Sequence, residues 1–153
     1  MASTSKIPEG YSTLTPALIV PDAAAAIDLY KKAFGAKEEH RIACDDSGKI
    51  MHACLTIGSS KIFLGDAHPD GECCAATKSS LYVYIDDVDS AFRMAKQAGM
   101  KEASAVQDMF WGDRVGCVTD SFGNRWTLAT HVRDVSPEEM EAGKKEFVAK
   151  CAA

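Results

Sequence analysis

Apolar positions along this chain follow two rhythms, strand-like alternation and helical spacing, and they come in the same order twice. From Leu14 the run LTPALIV alternates, Asp22 interrupts it, and AAAAIDLYKKAF then places apolar residues three and four apart up to Gly35. From Ser79 the run SSLYVYI, an Asp-Asp pair, VDSAFRMAKQA and Gly99 repeat that order. Gly35 and Gly99 stand 64 positions apart, as do Lys37-Glu38 and Lys101-Glu102, which is the length of one small αβ module. Asp22 is placed to cap the first helix, with Ala23, Ala26, Ile27, Tyr30, Ala33 and Phe34 on one face and Gly35 at the left-handed stop. Asp87 or Asp89 caps the second, whose face is Val88, Ala91, Phe92, Ala95 and Ala98.

Three strand-like runs follow each helix. They are Lys37–Cys44, Lys49–Ile57 and Lys61–Asp66 in the first module, and Lys101–Met109, Arg114–Thr119 and Arg125–His131 in the second. Each module reads βαβββ. The fold class expected is α+β: tandem modules over 14–66 and 79–132 forming a curved mixed sheet, with helices on its convex face, within one domain spanning 14–135. Ser136-Pro137-Glu138-Glu139 opens a C-terminal helix over 136–151 with a capping box, and Met140, Lys144, Phe147 and Cys151 give it one thin apolar edge. Residues 1–13 read as a disordered arm, and 67–79 as a linker.

Alternation also sorts the two faces of the sheet. Leu18 and Val20, Met51, Ala53, Leu55 and Ile57, Leu81, Val83 and Ile85, and Trp126 and Leu128 are expected to meet the helices. The opposite set, with Thr15, His52, Thr56, Tyr82, Tyr84, Thr127 and His131, reads as the wall of a partly solvated concave cleft.

Composition narrows the function. The 46% hydrophobic and 25% charged content is that of a folded globular chain, and a net charge of −5 disfavours nucleic acid and anionic membranes as partners. No apolar run is long enough for a spanning helix, and the first residues lack a signal peptide's apolar stretch. Six cysteines, including the adjacent Cys73 and Cys74, lack zinc-finger or CxxC spacing and read as free thiols of a cytoplasmic protein.

The segments AAIDLYKKAFGAKE, GKIMHACLTIGSSKIFLGDA, MFWGDR and VTDSFGNRWTLATHV resemble the vicinal-oxygen-chelate superfamily of glyoxalase I, extradiol dioxygenases and bleomycin-binding proteins. Within it they resemble the PhnB-like branch, also labelled demethylubiquinone-methyltransferase-like; Ser121 departs from the branch's usual Pro. The resemblance implies a fold of paired βαβββ modules, a homodimer, and a divalent metal held by one side chain from each of four strands. Carried over, those four positions fall on Thr15, Phe63, Ser80 and Thr127. None offers imidazole, carboxylate or thiolate, so no metal and no cofactor is expected.

The remaining candidates carry two readings each. His52 is a cleft-face base, ligand or hydrogen-bonding residue, or else a partly buried histidine paired with a neighbour; Cys54 lies beside it. Phe110-Trp111-Gly112-Asp113-Arg114 is an aromatic flap with Arg114 open to an anion, or a hairpin whose Asp-Arg pair holds the turn. Tyr82 and Tyr84 face a planar guest or an interface. His131 reads as a surface or helix-packing residue, His40 and His68 as solvated turn residues, and Asp66 as a cap or anchor of the loop after it, with a catalytic carboxylate as the other reading. Two functions follow: metal-independent binding of a small planar or aromatic molecule, or a lyase/isomerase of glyoxalase type with an atypical site.

Overall fold

The computed structural model describes residues 4–69 and 75–153, so Cys73, Cys74 and the middle of the expected linker lie outside the described residues. Two compact units divide the chain, Met1–Ser79 with Ser121–Asn124, and Ser80–Asp120 with Arg125–Ala153.

The first unit holds β1 (Ala17–Val20), α1 (Ala23–Phe34), β2 (Lys37–Ala43), β3 (Ile50–Ile57) and β4 (Ser60–Asp66), with a sheet in the order β1-β4-β3-β2. β1 runs parallel to β4 and the other pairs are antiparallel, so the sheet is mixed. The side chain of Asp22 caps α1, and Gly35 ends it at φ 64°, where a residue with a Cβ would be strained. Ala23, Ala26, Ile27, Tyr30 and Ala33 are buried with Leu18, Val20, Ala53, Leu55 and Leu64 to form this unit's core. Four of α1's five buried residues are aliphatic, and each buried side chain of Leu or Ile size adds roughly 2 kcal/mol of transfer free energy.

One face assignment is corrected. Met51, expected in the core, is 62% exposed, and Ile50, expected on the cleft face, is buried. The ladder pairs Ile42 with His52 but Ala43 with Ile50, leaving Met51 as the extra residue of a β-bulge. A bulge breaks the period-two alternation at that point and turns its residue outward.

The second unit repeats the plan with β5 (Ser80–Tyr84), α2 (Val88–Gln97), β6 (Lys101–Asp108), β7 (Asp113–Thr119) and β8 (Arg125–His131), in the sheet order β5-β8-β7-β6, followed by α3 (Pro137–Cys151). Asp87 is the cap of α2, and Val88, Phe92 and Ala95 are its buried residues. Trp126 is 1% exposed, as its core assignment requires, and its indole N–H donates to Asp120 at 3.1 Å. Ser136 and Glu139 form both bonds of the predicted capping box on α3. No helix among the described residues is long and apolar enough to cross a membrane.

Candidate functional site

The first unit carries a cavity of about 550 Å³. Its floor is the exposed face of the sheet: His40 from β2, His52 from β3 and Phe63 from β4, with Thr15 just before β1. Successive strands bring these residues side by side. His40 and His52 have ring centroids 5.5 Å apart, and His52 meets Phe63 edge-on at 4.6 Å. The opposite wall is the N-terminal segment, through Lys6, Ile7, Pro8, Tyr11, Ser12 and Thr13.

That segment, expected to be a disordered arm, is seated on the sheet by Tyr11. The Tyr11 ring lies 5.9 Å from Phe63, Lys61 Nζ stands 5.3 Å over it, and its hydroxyl is 3.3 Å from Cys54 Sγ. The contact with Cys54, with burial adding to it, raises the Tyr11 pKa. Aromatic pairs of this kind contribute about 1 kcal/mol each beyond buried area, which offsets part of the entropy of ordering the arm. Ile7, Pro8 and Tyr11, set among the polar residues of 4–13, were the signal in the sequence. His40, read as a solvated turn residue, is instead a strand residue lining the cavity.

Thr15, His52 and Phe63 are thus brought together. Thr56 is not among the lining residues: its hydroxyl donates to Glu39 at 2.7 Å and accepts from Lys61 at 3.1 Å. Asp66 is a structural carboxylate, accepting from the N–H of Ala23 at 2.8 Å and of Ile50 at 2.6 Å. Both bonds are made to backbone: the one to Ala23 lies at the N-terminus of α1, where a carboxylate is favourable, and the one to Ile50 fastens the start of β3.

In the second unit, Tyr82, Tyr84 and Trp111 meet around Asp113, which is 2% exposed. Asp113 accepts from the Tyr82 hydroxyl at 2.7 Å and the Tyr84 hydroxyl at 2.9 Å, and lies 2.8 Å from His131 Nδ1. The other nitrogen of His131 is 2.8 Å from Asp134, and Trp111 Nε1 donates to the Tyr82 hydroxyl at 3.4 Å. Burial pushes the Tyr82 hydroxyl up to about 12, with Asp113 adding to the shift. His131 is therefore more than a surface residue, and its ring nitrogens are both engaged.

The role of Arg114 is corrected in both readings of the aromatic hairpin. Arg114 is not open to an anion: Asp89 holds it through two bonds at 2.9 and 3.0 Å, Asp108 holds it at 3.2 Å, and its pKa is raised accordingly. Asp113 therefore does not pair with its neighbour. Phe110 packs under α3, 5.6 Å from Phe147, with Trp111 edge-on at 5.0 Å. Ser80 is exposed at the head of β5, and Thr127, half-buried, has its hydroxyl 3.9 Å from Cys117 Sγ.

Among the described residues, no group of three or more His, Cys, Asp or Glu side chains is placed to hold a metal ion. The cysteines at 44, 54, 117 and 151 are free thiols.

Residues 13–128 match the family model described as the Glyoxalase/Bleomycin resistance protein/Dioxygenase superfamily. An uncharacterized protein of Mycobacterium bovis is 39% identical over 139 residues, covering 84% of this chain and 90% of that protein. Among solved structures, TioX from Micromonospora sp. ML1 is similar with a TM-score of 0.67 at 28% identity, over 79% of this chain and 99% of that one. The PhnB protein from Bacillus cereus has a TM-score of 0.61 at 17% identity, over 78% of this chain and 99% of that one, a likeness of fold alone.

Proposed function

The chain belongs to the glyoxalase/bleomycin resistance protein/dioxygenase superfamily, and from that premise we propose that it binds a small planar or aromatic molecule in the cavity of its first unit, without the superfamily's usual metal. The observation that carries this reading is the lining itself. Thr15 and Phe63, two positions where the resemblance implies metal ligands, both line the cavity, one with a hydroxyl and the other with a hydrocarbon ring. Those two side chains cannot hold a divalent cation, and the imidazoles of His40 and His52 fall short of the three or four imidazole, carboxylate or thiolate groups that offset its dehydration. The lining does fit an apolar guest, because Phe63, Tyr11 and the His52 ring present aromatic surface beside hydroxyls of Ser12, Thr13 and Thr15. Ser80 and Thr127, the other two implied positions, likewise offer only hydroxyls.

Membership of the PhnB-like branch is part of the same proposal, supported by the motifs quoted above and by the fold likeness to the Bacillus cereus protein. We also propose a cytoplasmic homodimer. The support is the edge strand β2 and the exposed Ile42 and Met51 beside it, an arrangement that a second copy would cover. A single species near the 16.4 kDa chain mass in sedimentation equilibrium at micromolar concentration would contradict the dimer.

Titration calorimetry with 2-naphthol, a neutral planar probe, tests the binding reading. The protein should bind it, and Phe63→Ala should weaken binding about fivefold or more, the equivalent of one aromatic contact. Unchanged affinity in a folded Phe63→Ala variant would contradict the reading. So would near-stoichiometric zinc or nickel in untagged protein together with chelator-sensitive hemithioacetal turnover, which belongs to the lyase/isomerase alternative.

A further inference from the structure

The cavity's charged groups are all of one kind. Of its lining residues, Lys6 carries a positive charge and His40 and His52 are imidazoles, while none among the described residues is acidic. These groups are also unspent. Lys6 has no ion-pair partner and neither imidazole has a hydrogen-bond partner among the described residues; His52 makes ring contacts only, and His40 adds to its ring contact an electrostatic interaction with Glu39 that leaves its nitrogens unbonded. The acids nearby in sequence do not fill the role. Glu38 is bonded to Arg41 and Lys31, and Glu39 accepts from the Thr56 hydroxyl and faces Lys37 and Lys61, each at 3.9 Å. Glu9, on the arm, is not among the lining residues.

A chain whose net charge is −5 therefore keeps a local excess of donors at one cavity. An imidazole donates a hydrogen bond in either protonation state and carries charge in one, and an ammonium donates three. Donors left without acceptors at the wall of an aromatic cavity fit a guest that brings its own acceptor. Charge-assisted bonds to such an acceptor are about twice as strong as neutral ones. The rings of Phe63 and Tyr11 provide surface for a flat body, and Lys6, His40 and His52 provide donors for an anionic group.

We infer that the ligand of this cavity is a planar aromatic anion, of the aryl carboxylate class. The inference rests on the binding reading above and adds to it the sign of the ligand's charge. It also gives the N-terminal arm a role in recognition, since Lys6 would close over the bound anion as part of the wall.

Calorimetry at about pH 7 and low salt, with 2-naphthoate, 2-naphthol and 2-naphthylmethylammonium as matched anionic, neutral and cationic probes, tests it. The naphthoate should bind at least about tenfold tighter than naphthol, the gain expected of a charge-assisted bond. That preference should shrink to about twofold or less in the Lys6→Gln/His40→Gln variant, whose substitutions lie at exposed positions and leave the core untouched. Added salt should weaken naphthoate binding and reduce the preference. Equal affinity for naphthoate and naphthol would overturn the inference while leaving the binding reading standing, and so would tighter binding of the cation. A preference that survives in the double variant would overturn it too. Binding of none of the three would overturn the binding reading and the inference together.

Discussion

Asp113 keeps its charge in near-complete burial because three donors converge on it from two strands: Tyr82 and Tyr84 on β5, and His131 at the end of β8. Burial alone would push its carboxyl up, but the bonds from His131, Tyr82 and Tyr84 outweigh burial and leave its pKa below the ordinary 3.8. His131 is shifted the other way, above 6.5, by Asp134 first and then by Asp113. These shifts set opposite ends of a pH window. A lowered carboxylate pKa gives stability that is present above the unfolded value and lost as pH falls through the folded value. A raised imidazole pKa gives stability that is complete below the unfolded value and lost as pH rises through the folded value. The cluster's contribution should thus be greatest between about pH 4 and pH 6.5 and decline above that range. His131→Gln should flatten the alkaline decline in a melting-temperature profile, and a decline of the same steepness in that variant would show that the imidazole does not cause it. Asp113→Ala should cost about 2 kcal/mol in urea unfolding, since it leaves two tyrosine hydroxyls and an imidazole without their acceptor.

α3 shows how an element can dock without burying a residue. Its contact with the turn between β6 and β7 runs through Phe147, against Phe110, and through Gly143, where an added Cβ would fall 2.5 Å from Phe110 Cβ. Gly143→Leu should therefore lift the helix away. Amide exchange over 137–151 should quicken at least about tenfold while β7 stays protected, because local opening and global unfolding are separate events. Protection unchanged in that variant would place the docking elsewhere. Ser136→Ala removes one half of the capping box and should cost the same helix about 1 kcal/mol. At this scale much was legible beforehand. Asp22, Asp87, Ser136 and Gly35 act on backbone groups a few residues away, so helix ends could be read locally. The repeated βαβββ order followed from periodicity. What escaped depended on partners distant in sequence. The bulge at Met51 is defined by how β2 pairs with β3, the seat of Tyr11 by Cys54 and Phe63, and the place of Phe110 by a helix beginning 27 residues later at Pro137. For the site, alternation put Thr15 and His52 on the cleft face and the family resemblance pointed to Phe63, but neither gave the arm that faces them. The motif Phe110-Trp111-Gly112-Asp113-Arg114 also offered Arg114, whose bonds to Asp89 and Asp108 no local pattern reveals.

At the scale of the whole molecule, superfamily membership accounts for the two repeated sheets, and the proposed binding centres on the cavity of the first unit. The N-terminal arm supplies six of its ten lining residues: Lys6, Ile7, Pro8, Tyr11, Ser12 and Thr13. Removing residues 1–13 should therefore affect binding far more than folding. Calorimetric affinity for 2-naphthol should fall by more than about tenfold, while the melting transition stays cooperative and loses on the order of 1–2 kcal/mol from the Tyr11 contacts. Full affinity in the truncated chain would mean that the arm is not a wall of the site. The central claim, that this cavity is where a small aromatic molecule binds, is tested most directly by an amide-resolved NMR titration of the full chain with 2-naphthol. The amides of Tyr11, Thr15, His40, His52 and Phe63 should shift along one saturation curve. Shifts confined to Tyr82, Tyr84 and Trp111, or none at saturating probe, would contradict the claim.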